Sequence, residues 1–235
     1  MPETLSGPGC FALVPCAGIG TRSGAALPKQ YVQIAGKAMV AHTLEALACV
    51  PRLVETLVVL APQDVWFEAA VPGFRGLRCR IARCGGATRA ETVTNGLAVL
   101  AAHGARPDDW VLVHDAARCL VRPQWVDRLI DACLSDPVGG LLALPLADTL
   151  KQERAGRVAA TLERDGKWAA QTPQMFRLGL LRGALARTGA AVTDEAGAVE
   201  ALGQAPLLVP GELENFKLTH PADFELAQRL LRTPS

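Results

Sequence analysis

Two cations, Arg22 and Lys29, stand close together near the start of the chain, and no acid lies between Pro15 and Tyr31. The segment Pro15-Cys16-Ala17-Gly18-Ile19-Gly20-Thr21-Arg22 follows Phe11-Ala12-Leu13-Val14, an apolar run short enough for a buried strand. Glycines let backbone N–H groups approach a ligand closely, and arginine and lysine neutralise its charge, so a phosphate guest is expected. Neither common phosphate loop fits. A dinucleotide fingerprint wants a third glycine where Ser23 stands and an acid closing the second strand, where the chain has Leu60. A Walker loop wants Ser or Thr after its lysine, and Lys29 is followed by Gln30. Gly18 and Gly20 alone are a weak signal, compatible also with a turn carrying solvated charges.

Asp115 follows the apolar run Trp110-Val111-Leu112-Val113 and precedes Ala116, Ala117 and Arg118. A carboxylate at the carboxyl end of a strand can hold Mg²⁺ against phosphate oxygens, or can serve as a turn or N-cap residue. Arg118 suits either a substrate phosphate or pairing with Asp115. The seven cysteines and four histidines are scattered, with no C-x-x-C pair, which argues against a zinc site and a disulfide framework. Cysteines used in this way suit a reducing cytosol.

The elements that must carry these residues alternate. Strand-like runs at Phe11–Val14, Thr56–Leu60, Leu77–Ala82, Trp110–Val113 and Leu141–Leu144 are separated by helical patterns. The helices fall at Met39–Ala48, in a short piece opened by Pro62-Gln63-Asp64 and ending before Pro72, at Ala87–Ala102, and after Pro123. This predicts an α/β fold, a mostly parallel, Rossmann-like sheet with helices on both faces. Ligands in such folds bind beyond the carboxyl ends of the strands, where Cys16 to Lys29, Gly85-Gly86 and Asp115 to Arg118 would meet. Residues 148–172 are too polar for an ordinary crossover and carry turn signals at Ala155-Gly156 and Asp165-Gly166. They read as a projecting β-arm anchored by Val158, Leu162 and Trp168, of the kind that pairs with a second subunit. Helical signals resume at Leu178–Leu185 and after Thr193-Asp194-Glu195. Leu207–Val209 and Phe216–Leu218 read as short strands, and Thr219 as the cap of a last helix through Leu231. The chain of 235 residues is thus expected to be one domain, 1–235, with the arm inserted. With 24 basic against 23 acidic side chains and few aromatics, it lacks the footprint of a nucleic-acid binder. The absence of a signal-peptide pattern and of any membrane-length apolar run predicts a cytoplasmic protein with no membrane partner.

Eight collinear motifs resemble one family: the Pro15–Arg22 segment, Pro28-Lys29-Gln30-Tyr31, Gly85-Gly86 with Arg89, His114-Asp115-Ala116-Ala117-Arg118, Asp148-Thr149, Thr172-Pro173-Gln174, Thr193-Asp194-Glu195 and Lys217-Leu218-Thr219. This is the 2-C-methyl-D-erythritol 4-phosphate cytidylyltransferase family of nucleotidyltransferases, and the likeness runs from about Phe11 to Leu231. It implies transfer of CMP from CTP to 2-C-methyl-D-erythritol 4-phosphate, with release of pyrophosphate, in non-mevalonate isoprenoid biosynthesis. It further implies Mg²⁺ or another divalent cation and a homodimer whose arms exchange. By the same resemblance, Arg22 and Lys29 are the catalytic cations at the α-phosphate. Cys16, Ala17, Gly18, Gly20, Gly86 and Thr92 bind the nucleotide. Asp115, Arg118, Thr172, Thr193 and Lys217 line the second-substrate pocket, Asp115 also at the metal, and Thr149 and Arg164 reach that pocket from the partner subunit.

Three positions depart from the family pattern: Cys16 for alanine, Ala87 for aspartate and Cys119 for proline. The closest competing activity is ribitol-5-phosphate cytidylyltransferase, which shares the loop and the cations. A nucleotide-sugar glycosyltransferase would present Asp-x-Asp where this chain has His114-Asp115-Ala116. A non-catalytic nucleotide-binding module would not need both Arg22 and Lys29.

Overall fold

The computed structural model describes residues 7–18 and 27–232. Strand β1 (Cys10–Cys16) is followed, after a 3-10 turn at Lys29–Tyr31, by the short strands β2 (Gln33–Ile34) and β3 (Lys37–Ala38) and by α1 (Met39–Ala48). Then come β4 (Leu53–Leu60), the single turn α2 (Phe67–Ala70), β5 (Cys79–Ala82), α3 (Arg89–Ala102), β6 (Trp110–Val113) and α4 (Pro123–Leu134). Strand β7 (Gly139–Pro145) leads to β8 (Leu150–Arg154), β9 (Arg157–Leu162) and β10 (Trp168–Arg177). Helices α5 (Leu178–Thr188) and α6 (Glu195–Glu200), strand β11 (Leu207–Pro210) and helix α7 (Pro221–Arg232) follow.

Seven strands form one sheet in the order β11-β7-β10-β6-β1-β4-β5. Every neighbouring pair is parallel except those of β10, which runs antiparallel to both β6 and β7. Successive side chains of a strand face opposite sides, so each buried strand feeds two cores. Ala12 and Val14 of β1, Val58 of β4 and Leu112 of β6 pack with Val40, Leu44 and Leu47 of α1 and Val126, Leu129 and Ile130 of α4. Leu13, Val59 and Val113 pack on the other side with Val93, Leu97 and Leu100 of α3 and Leu181 of α5. A fully buried leucine contributes about 1.5–3 kcal/mol, so these two layers supply much of the fold's stability. Helix α3 lies close against the sheet: a Cβ at Gly96 would come within 2.7 Å of both Leu13 and Val59 side chains. A third cluster seats α7, through Ala227, against Ile34, Met39, Cys119 and Leu218.

The hairpin β8–β9 is a two-stranded sheet of its own, turned by Ala155 and Gly156 with φ of 53° and 76°. The structure differs from the sequence reading at four places. The segment Trp168–Thr172, expected in the arm, instead opens β10 in the middle of the main sheet. Pro173 is tolerated there because the register with β7 shifts between Ala170 and Gln174, a bulge that leaves it outside the ladder. Helix α2 is shorter than expected, since Asp64 Oδ1 accepts the N–H groups of Trp66 and Phe67 at 3.1 and 3.0 Å and so sets a later start. Phe216–Leu218 is not a strand, being tied to the core by the Leu218 N–H to the Ala117 carbonyl at 2.9 Å. The last helix is capped not by the Thr219 hydroxyl but by Asp223, whose Oδ2 accepts the N–H groups of Thr219 and His220, each at 2.7 Å.

The first strands wind outward from β1 to β4 to β5, and the chain then crosses to β6 on the other flank of β1. The carboxyl ends of β1 and β6 therefore flank a topological switch point, where open α/β sheets bind ligands.

Candidate active site

A cavity of about 890 Å³ opens at that switch point. It is lined by Cys16, Ala17 and Gly18 after β1, by Lys29 and Gln30, by Gly86 to Arg89 with Thr92, by Asp115 to Ala117 after β6, and by Lys217 and Thr219. This volume lies at the upper end of the range of small-ligand sites.

The first wall is built by close backbone approach. A Cβ at Gly85 would stand 2.2 Å from the Ala17 Cβ and 2.8 Å from the Leu60 carbonyl oxygen, so only glycine lets this loop pass β1. Thr88 then caps α3, its hydroxyl accepting the Glu91 N–H at 3.1 Å, while Glu91 Oε2 accepts the N–H of Ala87 at 2.7 Å. Thr92 accepts the Gly86 N–H at 3.1 Å and donates to the Thr88 carbonyl at 2.9 Å. Its hydroxyl thus shapes the loop that faces the cavity. Gln30 Nε2 donates to the Cys16 carbonyl at 3.1 Å, tying the Lys29 turn to the end of β1. Burial pushes the Cys16 thiol well above its ordinary pKa, so it stays protonated and only its backbone is suited to a ligand. The Lys29 ammonium donates to the Leu218 carbonyl, next to Lys217 in the chain.

The second wall is charged. Arg89, in the first turn of α3, gives Nε to Asp115 Oδ1 at 2.8 Å and its two terminal nitrogens to Glu195 at 2.6 and 3.0 Å. Lys217 reaches Asp115 Oδ2 at 2.7 Å. Burial acts to raise the carboxyl pKa of Asp115, but Arg89 and Lys217 outweigh it and hold the group far below the usual carboxylate range. Burial also opposes the charge of Arg89, and Glu195 and Asp115 overcome it, pushing that pKa up.

The loop after β6 is fixed from behind. His114 Nε2 lies 3.2 Å from the Arg118 carbonyl, which can only accept, so Nε2 carries the proton of the neutral ring. Nδ1 is then the acceptor for the Thr172 hydroxyl at 3.0 Å, whose oxygen accepts the Asp115 N–H at 3.0 Å. Burial pushes His114 down to about 4, which agrees with a neutral ring.

Of the residues singled out in the sequence, the cavity gathers Cys16, Ala17, Gly18, Lys29, Gly86, Thr92, Asp115 and Lys217. Gly20 and Arg22 lie outside the described residues. Thr172 is buried behind the loop, with its hydroxyl spent on His114 and Asp115. Arg118 does not pair with Asp115; it donates to the carbonyls of Asn215 at 2.6 Å and Ala170 at 3.2 Å, bracing the segment that carries Lys217. Thr193 is exposed before α6, and Thr149 and Arg164 are exposed beside the hairpin, where Arg164 donates to the Ala147 carbonyl. None of the last five lines the cavity. Arg89 and Glu195 stood in the quoted motifs with no role assigned to them. The Thr88-x-x-Glu91 capping pattern would have placed Arg89 at a helix start, but nothing in the sequence pairs it with Glu195.

Asp115 is the one acidic side chain among the described residues lining the cavity, and both its oxygens are engaged by cations. No group of three His, Cys, Asp or Glu side chains among the described residues could hold a metal. The donor set does not build a protein-held metal cage, and it does not favour Asp115 as a direct ligand. It suits a hard cation that arrives on polyphosphate oxygens and keeps its waters. Among the described residues no helix is long and apolar enough to cross a membrane.

A solved structure of 4-diphosphocytidyl-2C-methyl-D-erythritol synthase, 43% identical, superposes with a TM-score of 0.85 over 95% of this chain and 98% of that one. Fold and site together define an α/β nucleotidyltransferase. The model of the 2-C-methyl-D-erythritol 4-phosphate cytidylyltransferase family matches residues 10–233, and the chain belongs to that family. The enzyme of that name from Laribacter hongkongensis is 59% identical over 224 residues, covering 94% of this chain and 96% of its relative. A bifunctional IspD/IspF enzyme from Albidiferax ferrireducens is also 59% identical, over 235 residues, and the chain spans 56% of its length.

Proposed function

We propose that this chain transfers CMP from CTP to 2-C-methyl-D-erythritol 4-phosphate. An oxygen of the sugar-alcohol phosphate attacks the α-phosphorus, the bond from that phosphorus to the β-phosphate breaks, and pyrophosphate leaves. The observation that carries the reading is that Lys29 and Lys217 line one cavity at the β1/β6 switch point, in a chain of this family. A phosphate monoester is already a nucleophile at neutral pH, so the work is to bring two anions together and to stabilise charge growing on the transferred phosphoryl group. Lys29, with Arg22 beside it in sequence, serves the α-phosphate. The backbone at Cys16–Gly18 and the ordered 85–88 loop hold the nucleotide, with Gly86 and Thr92 setting the loop's shape. Lys217, held by Asp115, receives the phosphate of the acceptor, and Arg118 and Thr172 support that wall from behind.

Mg²⁺ is proposed as the companion of the triphosphate, where it neutralises charge. With both oxygens of Asp115 tied to cations, this chain's part is to orient the phosphates through its backbone and lysines. The arm is proposed to complete the site of a second copy, bringing Thr149 and Arg164 to it, and Thr193 is proposed to line the acceptor pocket. Val158 and Leu162, 65% and 43% exposed, supply apolar surface for that pairing. Seven free cysteines support a reducing, cytoplasmic setting.

Pyrophosphate release at fixed CTP, with methylerythritol phosphate and ribitol 5-phosphate compared side by side, tests the reading. Faster turnover of ribitol 5-phosphate would overturn the acceptor assignment.

A further inference from the structure

Glu195 is 1% exposed and opens helix α6 outside the cavity. Its carboxylate takes both terminal nitrogens of Arg89, at 2.6 and 3.0 Å. An arginine fork can grip a carboxylate with two parallel bonds, and here that grip is committed to Glu195. Of the five N–H groups of Arg89, two are given to Glu195, and Nε takes Asp115 Oδ1 at 2.8 Å. Asp115 therefore keeps Oδ2 for Lys217, at 2.7 Å. The four groups alternate in charge from the buried helix to the cavity wall. The two carboxylates are the buried members, at 1% for Glu195 and 8% for Asp115, and Lys217 at the cavity end is 44% exposed.

We propose that Glu195 is a positioning residue for the acceptor substrate: by holding the fork of Arg89 it orients the guanidinium so that Asp115 meets Arg89 through Oδ1 and keeps Oδ2 for Lys217, and so fixes the Lys217 ammonium in the cavity. The proposal rests on the reading that Lys217 receives the acceptor's phosphate. Without the Glu195 charge, the fork of Arg89 is free to take both oxygens of Asp115, and Lys217 loses its anchor. The nucleotide wall, built by the 85–88 loop and the end of β1, is held by other bonds and is not disturbed.

Steady-state kinetics of the full chain test this with Glu195→Gln, Lys217→Met and the double variant. Glu195→Gln is expected to raise the KM for methylerythritol phosphate by about 10- to 100-fold, the scale of a misplaced binding group, while the KM for CTP is unchanged. In the Lys217→Met background it is expected to add no further rise, because the two changes act on one interaction. Equal shifts in both KM values, an unchanged acceptor KM, or effects that simply add would overturn the proposal and leave Glu195 a structural group. Should Glu195→Gln not fold, Arg89→Lys, which keeps the charge but lacks the fork, is read for the same selective rise. A wild-type enzyme that prefers another phosphorylated alcohol would sink the acceptor assignment alone. The same kinetic split, measured with that alcohol, would still decide the role of Glu195.

Discussion

The Thr172 hydroxyl donates to Nδ1 of His114 at 3.0 Å, and through this bond the central antiparallel strand holds the loop that presents Asp115. In this direction the bond needs a neutral His114, because a protonated Nδ1 can only donate.

Stability should therefore depend on pH in a defined window. The folded pKa of His114 is lowered to about 4 from an ordinary value near 6.5, so its stabilising share is fully present above about 6.5 and is lost as pH falls toward 4. The loss is on the order of 3 kcal/mol. Below that window the depressed pKa of Asp115 adds a further loss as the carboxylate is forced to protonate. Urea midpoints measured from pH 7.5 to 4 should fall, and His114→Gln should flatten the slope between 6.5 and 4. An equally steep slope in that variant would remove His114 from the account.

Lys29→Ala and Arg22→Ala should each lower turnover by about 10²-fold or more, the cost of losing a preorganised charge stabiliser, with circular dichroism unchanged. Wild-type rates in either variant would take the glycine-bearing loop out of the mechanism.

Gly85→Ala should abolish nucleotide binding, because the added Cβ would stand 2.2 Å from the Ala17 Cβ and 2.8 Å from the Leu60 carbonyl. The loop must move away from β1, and titration with CTP should show no binding in a protein that remains folded. CTP affinity equal to wild type would mean that the 85–88 loop is not a wall of the nucleotide site.

Arg164→Ala and Lys217→Ala enzymes, each impaired alone, should regain activity when mixed under conditions of subunit exchange, since one site of each mixed dimer is free of both lesions. If exchange is demonstrated and activity does not return, the arm does not cross to the partner's site.

Much of this architecture was legible in the chain because it is local. Alternating buried strands and amphipathic helices are written in apolar spacing, and the spans read for α1, α3 and β6 match the structure within a residue or two. The meeting of the β1 loop, the Gly85-Gly86 loop and Asp115 followed from the rule for the carboxyl ends of parallel strands. The family followed from motifs in order.

What the sequence by itself could not yield is whatever depends on partners distant in the chain. Strand β10 was hidden because Gln171, Thr172, Pro173 and Gln174 look like a loop. They sit in the sheet because tertiary contacts satisfy them: Gln174 donates to Asp194 at 2.9 Å and Asn215 donates to the Thr172 carbonyl at 2.8 Å. Arg118 read as suited to a substrate phosphate or to Asp115, and nothing local in the sequence pointed to the carbonyls of Asn215 and Ala170 that it meets in the fold. Residue types and spacing pointed to an anion site after the first strand, where Lys29 lines the cavity. Which carboxylate holds which cation was decided only when Glu195, Arg89, Asp115 and Lys217 were buried together, because a buried charge must find its partner wherever the fold supplies one.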